Sequence, residues 1–229
     1  MKLSVLMPVY NEESTVAAAV ERVLGVEYPA EVEVVVVDDG SRDDTAAVLE
    51  KIDDPRVVRR NHPVNRGKGA AIRTAAGAAT GDYMIICDAD LEYAPEEIPG
   101  LLKPILAGEA EVVFGTRTFG SHSAYSFWYV MGNKGVTTVA NVLYNSYISD
   151  LETCFKLLPL PLYRSLDIRQ PGFGMEAELT AKLLRRGIRP YEVPISYRAR
   201  GREAGKKITW RDGVEAVWIL ARHRVGTRR

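Results

Sequence analysis

A chain of 229 residues suits one large α/β domain and is long enough to bury a sizeable core. Its 30 basic and 30 acidic side chains cancel, which removes any whole-protein case for a nucleic-acid partner. Two cysteines, Cys87 and Cys154, without a Cys-x-x-Cys spacing, give no disulfide framework and are consistent with a reducing cytoplasm.

Met1-Lys2 runs straight into Leu3–Met7, too short for the apolar region of a signal peptide with its cleavage site. No stretch reaches the roughly 18 apolar residues of a spanning helix. The expectation is a soluble cytoplasmic protein, with a peripheral place at the inner face of the membrane as the alternative. Charge is uneven along the chain: from Arg198 to Arg229 ten Lys/Arg face three Asp/Glu. Such an end suits a solvated face, a phosphate or an anionic membrane surface.

In chain order, Leu3–Met7 reads as a strand, and Asn11 as the N-cap of a helix carrying Val16, Val20, Val23 and Leu24, closed by Gly25. Glu31–Val37, nearly all valine at its end, reads as a strand covered on both faces. It ends in Asp38-Asp39-Gly40-Ser41, and Asp43-Asp44-Thr45 opens the next helix. Val57-Val58 is a short strand. Asn65-Arg66-Gly67-Lys68-Gly69 leads into an Ala-rich helix over 70–79, and a strand from Tyr83 runs into Asp88-Ala89-Asp90.

Pro95 and Gly108 bracket a further helix, and Glu111–Phe114 is a fifth strand. This β-α alternation predicts a mostly parallel, doubly wound α/β sheet with flanking helices. Beyond it come a Gly/Ser/Thr loop over 115–126, a helix over 128–147 and a strand over 150–158. A helix over 175–186, a strand over 191–197 and a charged loop over 198–207 follow. Thr209 and Asp212 then form a capping box for a last helix. That helix places Trp210, Val214, Val217, Trp218 and Ala221 on one stripe, read as core facing with membrane contact as the alternative. The loop carries five basic residues in ten with Gly201 and Gly205, the composition of a lid over phosphate.

Asp88 and Asp90 are the centre of the functional reading. In an extended chain they project together beyond the carboxyl end of a strand, where open α/β sheets bind ligands. Two hard oxygen donors there suit Mg²⁺ or Mn²⁺ that also holds substrate phosphates. Competing α/β chemistries fail on their glycines. The turn after the first strand, Pro8-Val9-Tyr10-Asn11-Glu12, lacks the Gly-rich phosphate turn of a dinucleotide oxidoreductase, and also the Gly-rich, Arg/Lys-bearing loop of a sugar-phosphate nucleotidyltransferase. Arg66-Gly67-Lys68-Gly69 lacks the frame of a P-loop, and no Ser-His-Asp hydrolase signature is present. Acidic strand ends beside polar and basic loops describe a nucleotide-sugar site.

Pro8-Val9-Tyr10-Asn11-Glu12, Val37-Asp38-Asp39-Gly40-Ser41, Asn65-Arg66-Gly67-Lys68-Gly69, Asp88-Ala89-Asp90, Asp150-Leu151-Glu152-Thr153-Cys154-Phe155-Lys156 and the final basic loop carry a resemblance that spans nearly the whole chain. The sequence resembles the family-2 glycosyltransferases of GT-A fold, in their dolichol- or polyprenyl-phosphate mannose synthase-like branch. The resemblance implies a single domain over 1–229. Residues 1–118 would form the nucleotide-sugar half, and 119–229 the acceptor half with its basic lid and C-terminal amphipathic helix. It implies an inverting, metal-dependent transfer from GDP-mannose or a UDP-sugar.

By position, it implies that Pro8, Tyr10, Glu12 and Asp39, with Asp38 beside them, hold the nucleoside. Lys68 would lie near the nucleotide, and Asp88, Ala89 and Asp90 would carry the metal and diphosphate. Arg117 would face a phosphate, Asp150 or Glu152 would supply a catalytic carboxylate, and Lys134, Arg200, Arg202 and Lys206 would receive the acceptor phosphate.

A hydroxyl acceptor needs a carboxylate to take its proton, whereas a lipid phosphate, with a second pKa of about 6, is already largely ionised. The polyprenyl phosphate is the expected acceptor. The alternatives are a hydroxyl of a soluble glycan or small molecule, or a non-catalytic nucleotide-sugar-binding subunit. A homo-oligomer is left open.

Overall fold

The computed structural model describes residues 1–121, 127–198 and 210–225. Their centre is a seven-stranded sheet in the order β3-β2-β1-β4-β6-β5-β7. Its strands are β1 (Lys2–Val9), β2 (Glu31–Asp38), β3 (Val57–Asn61), β4 (Tyr83–Ile86), β5 (Val113–Thr116), β6 (Lys156–Pro159) and β7 (Tyr191–Pro194). All neighbours are parallel except β6, which runs antiparallel to both β4 and β5. The parallel, doubly wound expectation therefore holds with one reversed strand inserted near the middle.

Val34, Val35, Val36 and Val37 are all fully buried, so β2 is covered on both faces, as its unbroken apolar run predicts. At about 1.5 kcal/mol or more for each buried valine, that stretch alone contributes roughly 6 kcal/mol of transfer free energy. The covering helices are α1 (Val16–Leu24), α2 (Thr45–Glu50), α3 (Lys68–Ala78) and α4 (Ile98–Leu106), the last entered through a 3-10 turn at Pro95–Glu97. Ala70, Ala71, Ala75 and Ala76 are buried, and these short side chains let α3 lie close against β1 and β2.

A second layer is built from α5 (Phe127–Tyr144), α7 (Gly174–Arg185) and α8 (Trp210–Val225), after a short α6 (Leu160–Ser165) that the sequence reading omits. Val136, Ala140, Ile148, Leu151, Ala177, Ala181, Ala216, Ile219 and Leu220 form its own apolar cluster. The middle helix, α7, is buried at ten of its twelve residues.

Local departures from the expected elements have identifiable causes. Asn11 does not cap α1, whose N-cap is Thr15. With φ at 54°, Asn11 instead links two loops, its Oδ1 accepting from Arg42 N while its own N–H donates to Ser41 Oγ. The strand expected over 150–158 exists only from Lys156, because the Lys156 ammonium draws the carbonyls of Leu151 and Thr153 out of any ladder. β7 stops at Pro194, three residues short of the expected Tyr197, and α5 ends at Tyr144 rather than Tyr147, before Asn145 with its φ of 48°.

The α8 stripe is divided: Val217 packs against the helical cluster, while Val214 and Trp218 turn outward. Val214 is 60% and Trp218 55% exposed, while Ala216, Ile219 and Leu220 face α7 and α5. The side chain of Trp210, Thr209 of the capping box and most of the basic loop, 199–207, lie outside the described residues.

Candidate active site

Strand direction gathers the site. β1, β2 and β4 are parallel, so Pro8–Glu12, Asp38–Ser41 and Cys87–Asp90 follow strand ends on one edge of the sheet. The reversed β6 brings its lead-in, 150–155, to that same edge. With the starts of α3 and α7, these segments enclose a cavity of about 380 Å³. Pro8, Tyr10, Glu12 and Asp39 line one side of it, and Lys68, Asp88, Ala89 and Asp90 its floor. Arg117 and Glu152 complete the wall, together with Tyr93, Phe173, Glu176 and Tyr197.

The wall near β2 is held by Asp39. Its Oδ1 accepts from the His62 ring at 2.6 Å and from Arg66 N at 3.0 Å, and its Oδ2 accepts from Gly67 N at 2.7 Å. Gly67 has φ at 93°, and a Cβ there would stand 2.4 Å from the Pro171 carbonyl; at Gly69 it would stand 2.2 Å from that of Gln170. The glycines of this loop are thus demanded by close packing against the 170–172 backbone. Asp38 turns away: it is buried, its Oδ1 accepts from Ser41 N, and it is not among the cavity-lining side chains.

Lys68, at the first position of α3, reaches across the floor. Its ammonium lies 2.8 Å from Asp88 Oδ2 and 2.9 Å from Glu176 Oε1. Burial disfavours that charge, but Asp88 and Glu176 outweigh burial and hold the Lys68 pKa well above its ordinary value. Asp88 and Asp90 stand on the turn after β4 rather than in the strand itself, which ends at Ile86. Asp90 Oδ1 accepts from Glu92 N at 3.0 Å, an Asx-type turn closed by Leu91 at φ 62°.

Arg117 is fixed by Asp150. The guanidinium donates from Nε to Oδ2 at 2.6 Å and from Nη2 to Oδ1 at 2.7 Å, and lies 5.1 Å from the Tyr197 ring centre. Asn133 Nδ2 and the Arg117 backbone N–H also donate to Asp150, which is 1% exposed. Burial raises the Asp150 pKa, yet the guanidinium and these donors overcome it and leave the carboxyl below its usual range. A saturated, buried carboxylate behind the wall is poorly placed as the catalytic base expected of it.

Glu152 differs on each count. It lines the cavity, takes part in no hydrogen bond among the described residues, and has its pKa raised by burial, with Arg117 opposing and the Glu176 and Asp150 charges reinforcing. Beneath this loop Lys156 is fully buried over the Phe114 ring, its ammonium donating to the Leu151 and Thr153 carbonyls.

Of the residues expected to receive an acceptor phosphate, Lys134 is exposed on α5 and is not a cavity-lining side chain. Arg200, Arg202 and Lys206 lie outside the described residues. Sequence reasoning missed Glu176, Tyr93, Phe173 and Tyr197. The only signal for Glu176 was an acidic residue in the first turn of an otherwise buried helix, which reads equally well as a favourable charge at a helix start.

The family described as Glycosyl transferase family 2 matches residues 4–164, and the chain belongs to it. Its relatives include the low-salt glycan biosynthesis hexosyltransferase Agl6 of Haloferax volcanii, 29% identical over 88% of this chain and 49% of that protein. A dolichol-phosphate mannosyltransferase of Pyrococcus furiosus is 27% identical over 90% of this chain and 59% of its own length. An undecaprenyl-phosphate 4-deoxy-4-formamido-L-arabinose transferase of Proteus mirabilis is 40% identical over 51% of this chain and 36% of its own. The chain thus spans about half the length of the curated relatives it matches.

Among solved structures, glucosyl-3-phosphoglycerate synthase from Mycobacterium tuberculosis, in complex with Mn²⁺, UDP and glucosyl-3-phosphoglycerate, superposes with a TM-score of 0.73 at 22% identity. The match covers 100% of this chain and 81% of that one. The fold is of the GT-A type that the sequence resemblance implied.

Proposed function

We propose that this chain transfers a hexosyl group from a nucleotide-sugar to a polyprenyl phosphate, with a divalent cation at Asp88 and Asp90. The observation that carries the reading is the division of charge in one cavity: Asp88, paired with Lys68, and Asp90 line it on the β4 turn, and an Arg117 locked in place by Asp150 lines it too. A sugar nucleotide needs that division, since its diphosphate binds cations while its ribose and base take carboxylate and backbone partners. Among the described residues no group of three or more His, Cys, Asp or Glu stands ready to hold a metal. Two hard donors fit a Mg²⁺ or Mn²⁺ whose remaining positions are filled by phosphate and water. Bound there, the cation would neutralise charge on the departing diphosphate.

The chain's own residues do the rest. Pro8, Tyr10, Glu12 and the clamped Asp39 shape the nucleoside side. Arg117, oriented by Asp150, presents its outer edge to a phosphate. Relatives named for dolichol and undecaprenyl phosphate support the lipid acceptor. So do the exposed Phe127, Trp128, Met131, Val214 and Trp218 on α5 and α8, with Lys134, Arg211 and Arg222 exposed on the same helices. Aromatic and basic side chains in that mixture suit the interface of an anionic membrane. No helix among the described residues is long and apolar enough to cross one.

A hydroxyl acceptor is the second reading, favoured by Glu152 alone, whose raised pKa and lack of hydrogen bonds among the described residues suit a general base. The test is incorporation of labelled sugar from UDP- and GDP-sugars, with Mn²⁺ or Mg²⁺, into short-chain polyprenyl phosphate and into the matching polyprenol. Product from the phosphate alone, with Glu152→Gln changing the rate by less than about tenfold, is the expected result. Transfer only to hydroxyl acceptors, with Glu152→Gln costing about 10²–10⁴-fold, would sink the lipid reading.

A further inference from the structure

Lys68 stands where a metal ion would have to come. Its one ammonium bridges Asp88 on the β4 turn, at 2.8 Å, and Glu176 on α7, at 2.9 Å. Glu176 is buried, and only its Oε1 is used; among the described residues Oε2 has no hydrogen-bond partner. A buried carboxylate oxygen is seldom left so, and this one retains capacity for a further donor. The ammonium beside it has three N–H groups to give.

We propose that Lys68 is a tethered counter-ion that closes the Asp88/Asp90 site until a divalent cation binds, and that Glu176 takes the ammonium over when it leaves Asp88. The inference rests on the metal reading above. An ammonium and a divalent ion repel strongly at bonding distance from one carboxylate, so one must yield. The start of α3 cannot retreat, because Gly67 and Gly69 are wedged against the 170–172 backbone. The flexible four-carbon stem of the lysine can swing, and Glu176 already holds one of its protons. The exchange turns the unused Oε2 into an acceptor and keeps the Lys68 ammonium paired with a carboxylate. It also makes metal binding weak in the nucleotide-free protein and strong once a diphosphate adds its negative charge.

Mn²⁺ binding to the full chain, measured by electron paramagnetic resonance of the free ion with and without UDP or GDP, tests this. Without nucleotide, Lys68→Met should bind Mn²⁺ about tenfold or more tighter than wild type, the competing cation being gone. Glu176→Gln, nearly isosteric, should bind it several-fold more weakly, because the ammonium has nowhere charged to go. In the Lys68→Met background Glu176→Gln should have no further effect. Thermal unfolding checks each variant, and Lys68→Gln replaces Lys68→Met in the cycle if the latter fails to fold.

Unchanged or weaker Mn²⁺ binding by Lys68→Met overturns the role of Lys68. So does a Glu176→Gln effect that is equal with and without the lysine, as simple attraction through space would give. Absence of Mn²⁺ binding in every protein, even with UDP or GDP, overturns the metal reading itself.

Discussion

The two edges of the sheet handle buried charge in opposite ways. At the amino edge, Glu33 on β2 is enclosed by Ser4 Oγ at 2.6 Å, Thr80 N at 2.6 Å, Thr80 Oγ1 at 2.7 Å and the Lys2 ammonium at 2.7 Å. Both oxygens of that carboxylate are fully used. At the carboxyl edge, among the described residues, Glu176 keeps an oxygen without a partner, Glu152 lines the cavity without a hydrogen bond, and the buried Lys156 ammonium donates to backbone carbonyls rather than to a carboxylate. A saturated cluster ties strands together; an incompletely satisfied one costs stability and keeps capacity for a substrate. The fold separates the two tasks by the length of its strands.

The sharpest way to break that contrast is at Asp150, a fully saturated carboxylate on the candidate functional edge. Asp150→Asn loosens the grip on Arg117 without removing the side chain. Transfer activity should fall by about 10²–10³-fold, as when one placed donor is lost from a site of developing charge. Steady-state rates with a well-folded variant check this, and activity within a few-fold of wild type would show that the Arg117 lock is dispensable.

At the other edge the expected signature is reversed. Glu33→Gln should cost roughly 1–3 kcal/mol of stability, the penalty for weakening the hydrogen bonds of a buried carboxylate with a partly exposed lysine, and leave the rate per folded molecule unchanged. Denaturant unfolding and kinetics on the same preparation separate the two. The cluster also predicts a pH dependence. Burial pushes the Glu33 carboxyl up, but Lys2, Ser4 and Thr80 pull it down to about 2 from the usual 4.5. Its contribution is therefore complete above 4.5 and is lost as the pH falls toward 2, a loss that Glu33→Gln should not show.

The smallest effect concerns Lys156, whose ammonium burial lowers to about 8 from 10.5. The unfolded chain holds more protons than the folded one between those values, so stability should climb as the pH rises from 8 toward 10.5. Lys156→Met should lose that component of the slope. Parallel unfolding curves for the two proteins across this range would show that the buried lysine carries no such penalty.

These contrasts also explain what could be read from the chain alone. β2 and β4 were legible because their apolar runs end in carboxylates, a pattern that burial on both faces and a ligand-facing edge impose locally. Gly67 and Gly69 stood out, although the 170–172 backbone that requires them did not. Asp150 could not be told from Glu152: they differ only in what approaches them, and Arg117 arrives from another part of the chain. Glu176 was hidden for the same reason. The outward turn of Trp218 escaped notice because an apolar stripe has the same period whether it meets a core or a bilayer. β6 was misjudged in length because a lysine ammonium, rather than a neighbouring strand, claims the carbonyls before it.

The reversed strand has a consequence for how the molecule comes into being. β4 and β5 each need β6 as a neighbour, and its register sets Ile85 against Leu157 and Val113 against Leu157. Until that late segment emerges from the ribosome, two short apolar strands have open edges facing each other across a gap, and neither can pair correctly with the other. Closing the gap costs the entropy of a long loop, which makes it a natural slow step and a moment of exposure to aggregation. The same event carries Glu152 to the cavity and Asp150 to its place behind Arg117, so the candidate site is assembled in the stroke that seals the sheet.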